Sequence, residues 1–247
     1  MNTLYIVSTP IGNLQDITLR AAAVLQSVPF IVTESTSKTA NLLNYVRSTL
    51  PPTPGVNDTP GVKGAYTPGV GGPNQKIISF SEDEEDQKLP QIINLLELND
   101  AALVSEAGTP LISDPGFKLV REAIKRGINV ISIPGAAAPI AALTVSGLPT
   151  DKFFFVGYMP KKDGKRIELL TNLLKVKTEI GSTLIIFESP HRLVDSLKSF
   201  EQVFGDVNIV IARELTKIHE EVRREKVSEC IKYFEEHQPK GEFVILI

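Results

Sequence analysis

The stretch Leu103-Val104-Ser105-Glu106-Ala107-Gly108-Thr109-Pro110-Leu111-Ile112-Ser113-Asp114-Pro115-Gly116 constrains the fold more than any other. It opens as the end of an apolar run, Ala101 to Val104, which suits a strand buried on both faces. It then breaks into a loop with two glycines and two prolines. Asp114-Pro115 reads as an N-cap followed by proline at the first helical position. The helix runs through Phe117, Leu119, Val120, Ala123 and Ile124, with Arg126 in its last turn and Gly127 ending it. Strand, Gly-loop, helix aims backbone N–H groups at the carboxyl end of a strand, where open α/β sheets bind ligands. The same geometry also serves as a tight connection with no ligand.

Two further units repeat it. Leu4–Val7 reads as a strand, followed by Ser8-Thr9-Pro10-Ile11-Gly12-Asn13 and a helix capped by Asp16. Asn129–Ile133 is a strand that ends in Pro134-Gly135-Ala136-Ala137-Ala138. Neither a dinucleotide G-x-G-x-x-G nor a Walker loop is present. Three Gly-loops at one edge of a parallel sheet make a candidate ligand site. Its contacts fall on Pro10 and Gly12, on Ser105, Glu106, Ala107, Gly108, Thr109 and Pro110, and on Pro134, Gly135 and Ala136.

Between these units, Phe30–Thr33 is a short strand ending at Glu34, with Ser35, Thr36 and Ser37 as N-caps for the next helix. Pro51–Pro73 carries Thr-Pro-Gly-Val three times, at Thr53, Thr59 and Thr67, and reads as a mobile surface loop without a core. Lys76–Phe80 is a strand. The acidic run Glu82–Asp86 reads as a solvated lead-in to a helix Pro90–Leu98. Beyond Gly147-Leu148-Pro149-Thr150, strands at Phe153–Val156, Thr183–Phe187, Asn208–Ala212 and Phe243–Ile247 alternate with helices near Lys165–Val176, His191–Phe204 and Lys226–Glu236. The pattern predicts an α/β protein of two domains, 1–133 with a parallel sheet and 134–247 with a mixed one, and a cleft between them.

Charge narrows the partners. A net charge of −3 gives no global attraction to nucleic acid or an anionic membrane. Any RNA contact must be local, and Lys161, Lys162, Lys165 and Arg166, diluted only by Asp163, form the candidate patch. One cysteine and three scattered histidines exclude a disulfide framework and imply no metal site. Met1–Val7 lacks the basic start of a signal peptide. The longest apolar stretch, Ala136–Val145, is too short to span a bilayer, so the expected location is cytoplasmic with no membrane partner.

Five ordered motifs carry a resemblance. They are Tyr5–Leu14 with Asp16–Arg20, Ala107–Gly116, Ser146–Asp151, Phe187–Arg192 and Ala212–Lys217, closing with Lys240-Gly241-Glu242. Together they resemble the ribosomal RNA small subunit methyltransferase I family across the chain, apart from Pro51–Pro73. The resemblance implies a tetrapyrrole-methylase-like fold, S-adenosylmethionine as cofactor in the three Gly-loops, and a homodimer. It also implies 2′-O-methylation of a cytidine in the decoding region of small-subunit rRNA, as naked RNA or in the assembled 30S subunit. Longer members carry a further C-terminal segment beyond the equivalent of Ile247. This sequence departs from the family where Glu-Asp-Thr-Arg is Glu34-Ser35-Thr36-Ser37, which loses an acid and a base together. The usual Asp before Ala-Gly-Thr-Pro is Glu106, Pro-Gly-Pro-Ser-Ala is Pro134–Ala138, and a His-rich segment is replaced by Ser81–Glu85.

The chemistry needs an aligned ribose oxygen and a proton acceptor. Glu34, Asp114, Glu188, Arg213 and Glu214 each flank an apolar strand end or a Gly-loop, so they are the expected borders of the reaction centre, with Arg213 steering a phosphate. Two alternatives stay open. One is a precorrin-type enzyme methylating carbon on a tetrapyrrole, betrayed by an apolar trough. The other is a non-catalytic RNA-binding paralogue, motivated by Ser35 and Ser37.

Overall fold

A computed structural model describes residues 2–50 and 75–247. The Pro51–Pro73 loop reading lies outside the described residues. The chain forms two compact units, Met1–Ala137 and Ala138–Ile247.

The first unit is a five-stranded sheet built from β1 (Thr3–Val7), β2 (Phe30–Thr33), β3 (Lys76–Ser79), β4 (Ala101–Val104) and β5 (Asn129–Ile133), in the order β3-β2-β4-β1-β5. Every pairing is parallel. Strand residues alternate between two cores. Tyr5, Val7, Ile31, Ala102 and Val104 pack against α1 (Leu19–Ser27) and α2 (Thr36–Thr49). Leu4, Ile6, Phe30, Val32 and Leu103 pack against α3 (Glu85–Leu96) and α4 (Phe117–Lys125). Burial on both faces is why β1, β2 and β4 read as unbroken apolar runs. Each fully buried Leu or Ile contributes roughly 2 kcal/mol over exposure. Because all five strands are parallel, the loops after β1, β2, β4 and β5 leave from one edge.

Three helix starts differ from the sequence reading. Thr18, not Asp16, caps α1 by accepting from the Ala21 N–H at 3.1 Å, while Asp16 closes a single 3-10 turn capped by Asn13. The acidic run leads in only as far as Glu84: Glu82–Glu84 form a 3-10 turn, whereas Glu85 and Asp86 already form the first turn of α3, where carboxylates favour the positive end of the helix, and Pro90 lies inside it. Gly116, at φ 122°, precedes α4 in place of Asp114. A Cβ at Gly116 would meet Leu103 and Leu111 side-chain carbons at 2.9 Å, so chain direction and space both require glycine there.

The second unit comprises α5 (Ala138–Ser146), β6 (Phe153–Tyr158), α6 (Asp163–Ile180), β7 (Thr183–Glu188), α7 (Leu193–Phe204), β8 (Asn208–Arg213), β9 (Glu221–Lys226), α8 (Val227–Glu236) and β10 (Phe243–Leu246). Its sheet order is β6-β7-β10-β8-β9. β6 and β7 are parallel, while β10 runs antiparallel to β7 and β8, and β8 antiparallel to β9. Leu184, Ile186, Ile209, Ile211 and Ile245 face the core formed with α6, α7 and α8. α5 packs on the opposite face, over β10, β7 and β8.

β9 was not legible as a strand, because Glu221-Val222-Arg223-Arg224-Glu225-Lys226 has no apolar alternation. It holds its place by the ladder to β8 and by Arg223, which bonds Glu221 at 2.9 Å and Glu225 at 2.8 Å and stacks 3.6 Å over the Tyr233 ring. A charged edge strand also resists pairing with a foreign strand. Among the described residues, no helix is long and apolar enough to cross a membrane.

Candidate active site

The three Gly-loops meet and are stitched to one another. The Thr9 N–H donates to the Gly108 carbonyl at 2.8 Å, and the Gly108 N–H returns a bond to the Thr9 carbonyl at 3.1 Å. The Thr109 hydroxyl donates to the Ala136 carbonyl at 3.0 Å and lies 2.9 Å from the Ser8 hydroxyl. The Ser8 N–H donates to the Ile133 carbonyl at 3.1 Å. Small residues make this approach possible: a Cβ on Gly135 would lie 2.9 Å from the Ser8 Cβ. Pro10, Ser105, Gly108 and Pro110 are buried in the junction, with Thr109 half-buried. Gly12, Glu106, Ala107, Pro134 and Gly135 are exposed and Ala136 is half-buried, so this surface is open to a ligand. The outcome is a cradle of backbone and short side chains at the carboxyl edge of the sheet, suited to an elongated polar ligand.

Three carboxylates border it. Glu34 follows β2, Glu106 follows β4, and Asp114 lies on the loop before α4. They are close enough to repel. Burial, then the Glu34 charge, pushes the Asp114 carboxyl up to about 6, with Glu106 adding to the rise and a hydrogen bond from Ser105 opposing it. Glu34 is also raised, by burial first, then by Glu106 and Glu82, with Lys38 acting against them. Lys38 forms an ion pair with Glu106. It lies one turn into α2, next to the Ser35–Ser37 segment, and restores a cation there. Nothing in the sequence pattern singled it out. Among the described residues no three metal-ligating side chains converge to hold an ion.

The Asp114 loop is strained. Leu111 at φ 75° and Ser113 at φ 66° both occupy the left-handed region, which disfavours side chains and a bulky leucine most of all. Such strain persists where surrounding structure over-determines the backbone, and it concentrates at working sites. The effect here is to hold Asp114 over Ser105, whose hydroxyl also donates to the Gly108 carbonyl at 3.2 Å.

The other expected reaction-centre residues belong to the second unit, and each is taken up locally. Glu188 ends β7 with its side chain fully buried. It accepts from the Ser189 N–H at 2.7 Å and the Ser196 hydroxyl at 2.6 Å, and pairs with Arg192 at 2.6 Å. A buried carboxylate so occupied braces the strand end, so the structure seats Glu188 in a local network and not at an open surface. Arg213 donates to the Lys240 carbonyl at 2.7 Å and pairs with Glu221 at 3.4 Å. Glu214, at φ 50°, pairs with Lys217 at 2.8 Å and accepts from the Glu242 N–H at 3.0 Å. Burial pushes its carboxyl up, but the bonds from Lys217 and Glu242 and the Lys217 and Arg213 charges together hold it below the ordinary range. Arg213 and Glu214 therefore fix the loop after β8.

In the basic patch, Lys161, Lys162 and Lys165 are exposed. Arg166 is not: it is buried, donating to the Ser199 hydroxyl at 2.8 Å and pairing with Asp163 at 2.7 Å. Its position in the fourth residue of α6 turns it toward α7, so it anchors the patch instead of joining it.

Comparison with known proteins adds the following. The sequence model of the tetrapyrrole (corrin/porphyrin) methylases matches residues 3–231. The chain is 38% identical over 248 residues to the ribosomal RNA small subunit methyltransferase I of Thermotoga maritima, covering 100% of this chain and 98% of that one. It is 39% identical to the protein of the same name from Halalkalibacterium halodurans, covering 99% of this chain and 75% of the relative. A diphthine synthase crystal structure superposes with TM-score 0.71 at 12% identity, covering 100% of this chain and 89% of that one. A cobalt precorrin-4 methyltransferase does so with TM-score 0.64 at 15% identity, covering 99% and 94%. At such identities the likeness is one of fold.

Proposed function

Because the chain belongs to the ribosomal RNA small subunit methyltransferase I family, within the tetrapyrrole methylases, we propose that it methylates a cytidine 2′-oxygen in the decoding region of small-subunit rRNA, with S-adenosylmethionine as the donor. The observation that carries this reading is Asp114, a strained-loop carboxylate with an affinity for protons near neutrality, beside a backbone cradle. The residues present suit S-adenosylmethionine in kind: the exposed loop surface at Gly12, Ala107, Pro134 and Gly135 offers backbone groups and no bulky side chain. When bound, it supplies a methyl group on a cationic sulfur. The residues of this chain do the rest. The loops hold the cofactor in line with the ribose, Asp114 accepts the hydroxyl proton, and Ser105 orients Asp114. Burial first, and then the Glu34 and Glu106 charges, keep the Asp114 proton affinity high enough for that exchange. The exposed lysines at 161, 162 and 165 hold phosphates. A homodimer working on naked rRNA or the assembled 30S subunit in the cytoplasm completes the reading.

The decisive experiment uses labelled S-adenosylmethionine and small subunits from cells lacking the modification. One label per subunit on a cytidine 2′-oxygen is expected. Label on a base, or on a tetrapyrrole and not on RNA, would replace this function with another.

Calorimetry should count one S-adenosylmethionine per chain. Gly135→Ala should weaken that binding about tenfold or more, because the added methyl forces the β5 and β1 loops apart and such overpacking costs about 1–3 kcal/mol. Unchanged affinity would place the cofactor elsewhere. The lysines make a separate prediction. Lys161→Ala with Lys162→Ala should flatten the log–log salt dependence of RNA binding by about 1.4, at roughly 0.7 per single-strand phosphate contact. S-adenosylmethionine affinity should not move. An unaltered slope would reduce these lysines to solvated charges.

A further inference from the structure

The turn that carries Asp114 also fixes where α4 begins. Pro115 locks one backbone angle, and Gly116 passes so close to Leu103 and Leu111 that a Cβ there would lie 2.9 Å from carbons of both. Phe117 follows as the first residue of α4. Its Cα therefore lies within roughly 11 Å of the Asp114 Cα. Leu119 and Ala123 are fully buried and anchor the helix to the sheet. The opposite side of α4 faces solvent, with Phe117 67% and Ile124 61% exposed. Single exposed apolar residues are ordinary. A ring that a stiff turn holds three residues from the reaction carboxylate has a defined position relative to the substrate.

Arg121 stands one turn further along the same side. Its guanidinium carbon is 5.4 Å from the Phe117 ring centroid, within cation–π range. The other cations of α4 and its cap have acid partners. Lys118 pairs with Asp86 at 2.6 Å and with Glu85 at 3.7 Å. Arg126 pairs with Glu97 at 2.9 Å and with Glu122 at 3.1 Å, and Lys125 reaches Glu122 at 3.7 Å. The remaining acids on this side of the sheet edge are half-buried Asp114 and, on the turn before α3, exposed Glu82 and Asp83. The surface as a whole is thus not cationic. Among the described residues, Arg121 is the cation of α4 that has a ring for a partner and no ion pair. The ring steadies the guanidinium and leaves its N–H groups to an anion.

We propose that Phe117 and Arg121 clamp the nucleotide next to the one methylated, the ring side turned from Arg121 stacking its base and the guanidinium donating to its phosphate. An aromatic face beside a charge-assisted donor is what an unpaired RNA nucleotide needs. Asp114, the cradle and the clamp all lie in the first unit. A second copy of the chain fits this surface less well. An apolar partner over Phe117 and Ile124 would bury Arg121, while the acids of α3 and α4 beside it are already engaged, and an uncompensated buried charge is costly.

The clamp rests on the RNA-methyltransferase reading, and its test keeps the two apart. Unmodified small subunits are given to wild type, Phe117→Ala, Phe117→Leu, Phe117→Trp and Arg121→Gln. KM for subunits, the salt slope of binding, S-adenosylmethionine affinity, melting temperature and sedimentation are measured. Phe117→Ala should raise KM about tenfold, the scale of one lost base stack, with the salt slope kept. Phe117→Trp should restore KM and Phe117→Leu should not, because the π-face and not bulk is required. Arg121→Gln should raise KM and lower the log–log salt slope by about 0.7, one single-strand phosphate. Cofactor affinity, melting temperature and sedimentation should match wild type throughout. Wild-type KM in Phe117→Ala, rescue by Leu as good as by Trp, or an unchanged slope in Arg121→Gln overturns the clamp and leaves the methyltransferase reading standing. A rise in KM that comes with dissociation of an oligomer gives the surface to a second copy and overturns the clamp as well. Should Phe117→Ala melt early, the slope of Arg121→Gln decides alone. Wild-type protein that neither binds nor methylates subunits overturns both readings.

Discussion

Asp114→Asn should slow methyl transfer by about 100-fold or more, the usual scale for losing a general base, in protein that is more stable than wild type above pH 6. The two effects come from one cause. Burial and the facing Glu34 and Glu106 raise the Asp114 carboxyl from its ordinary 3.8 to about 6. The folded state then holds this proton more tightly than the unfolded chain does. Stability from this group is fully present below about pH 4, where both states are protonated, and is lost as pH rises through about 6. Asparagine keeps the shape and can still accept from Ser105, but carries no charge to repel. Its advantage over aspartate should therefore grow between pH 4 and pH 6 and level off above. Activity should run the other way. Wild-type turnover should climb as pH passes about 6 and Asp114 gives up its proton, and Asp114→Asn should lack that limb. S-adenosylmethionine affinity, read by calorimetry, should change little. A variant that turns over at the wild-type rate, or is less stable at pH 8, would remove Asp114 from the chemistry.

That trade between stability and activity explains which parts of the site the sequence could display. The three Gly-loops were visible because glycine and proline after apolar runs carry a local backbone signal, and the all-parallel sheet then forces them to one edge. Glu34 and Asp114 were visible for the same reason. Lys38 was not, since its value lies in facing Glu106 across two strands, and no local spacing encodes that pairing. Nor was the capping of α4 legible: Asp114-Pro115 has the composition of a helix start, but the chain needs a positive φ at Gly116 to pass Leu103. β9 escaped because an edge strand is defined by its partner and not by its own alternation. Arg166 was misread through an opposite error. Four basic residues in six look like one patch, yet the helical turn at Arg166 points inward to Ser199, and only a partner on α7 reveals it.

Glu188→Ala should lower the melting temperature of the second unit by roughly 10 °C, because stripping one partner from a buried charge pair costs about 3–5 kcal/mol. Three groups lose their acceptor at once: the Ser189 N–H, the Ser196 hydroxyl and one arm of Arg192. The damage should spread along a defined route. Arg192 also donates to the Ser189 hydroxyl at 3.1 Å and to the Met159 carbonyl at 3.0 Å, so its release loosens the segment that carries Lys161. At a temperature where the variant is still folded, KM for RNA should therefore rise with kcat per folded molecule nearly unchanged. Glu188→Leu with Arg192→Met tests the same logic from the other side. Removing both charges and refilling the volume should recover most of the lost melting temperature, since a buried pair replaced by apolar groups is often neutral or better, while the Met159 anchor and the tight KM stay lost. The opposite pattern, wild-type melting with turnover abolished in Glu188→Ala, would return Glu188 to the reaction centre and make its hydrogen-bonded seat a resting state.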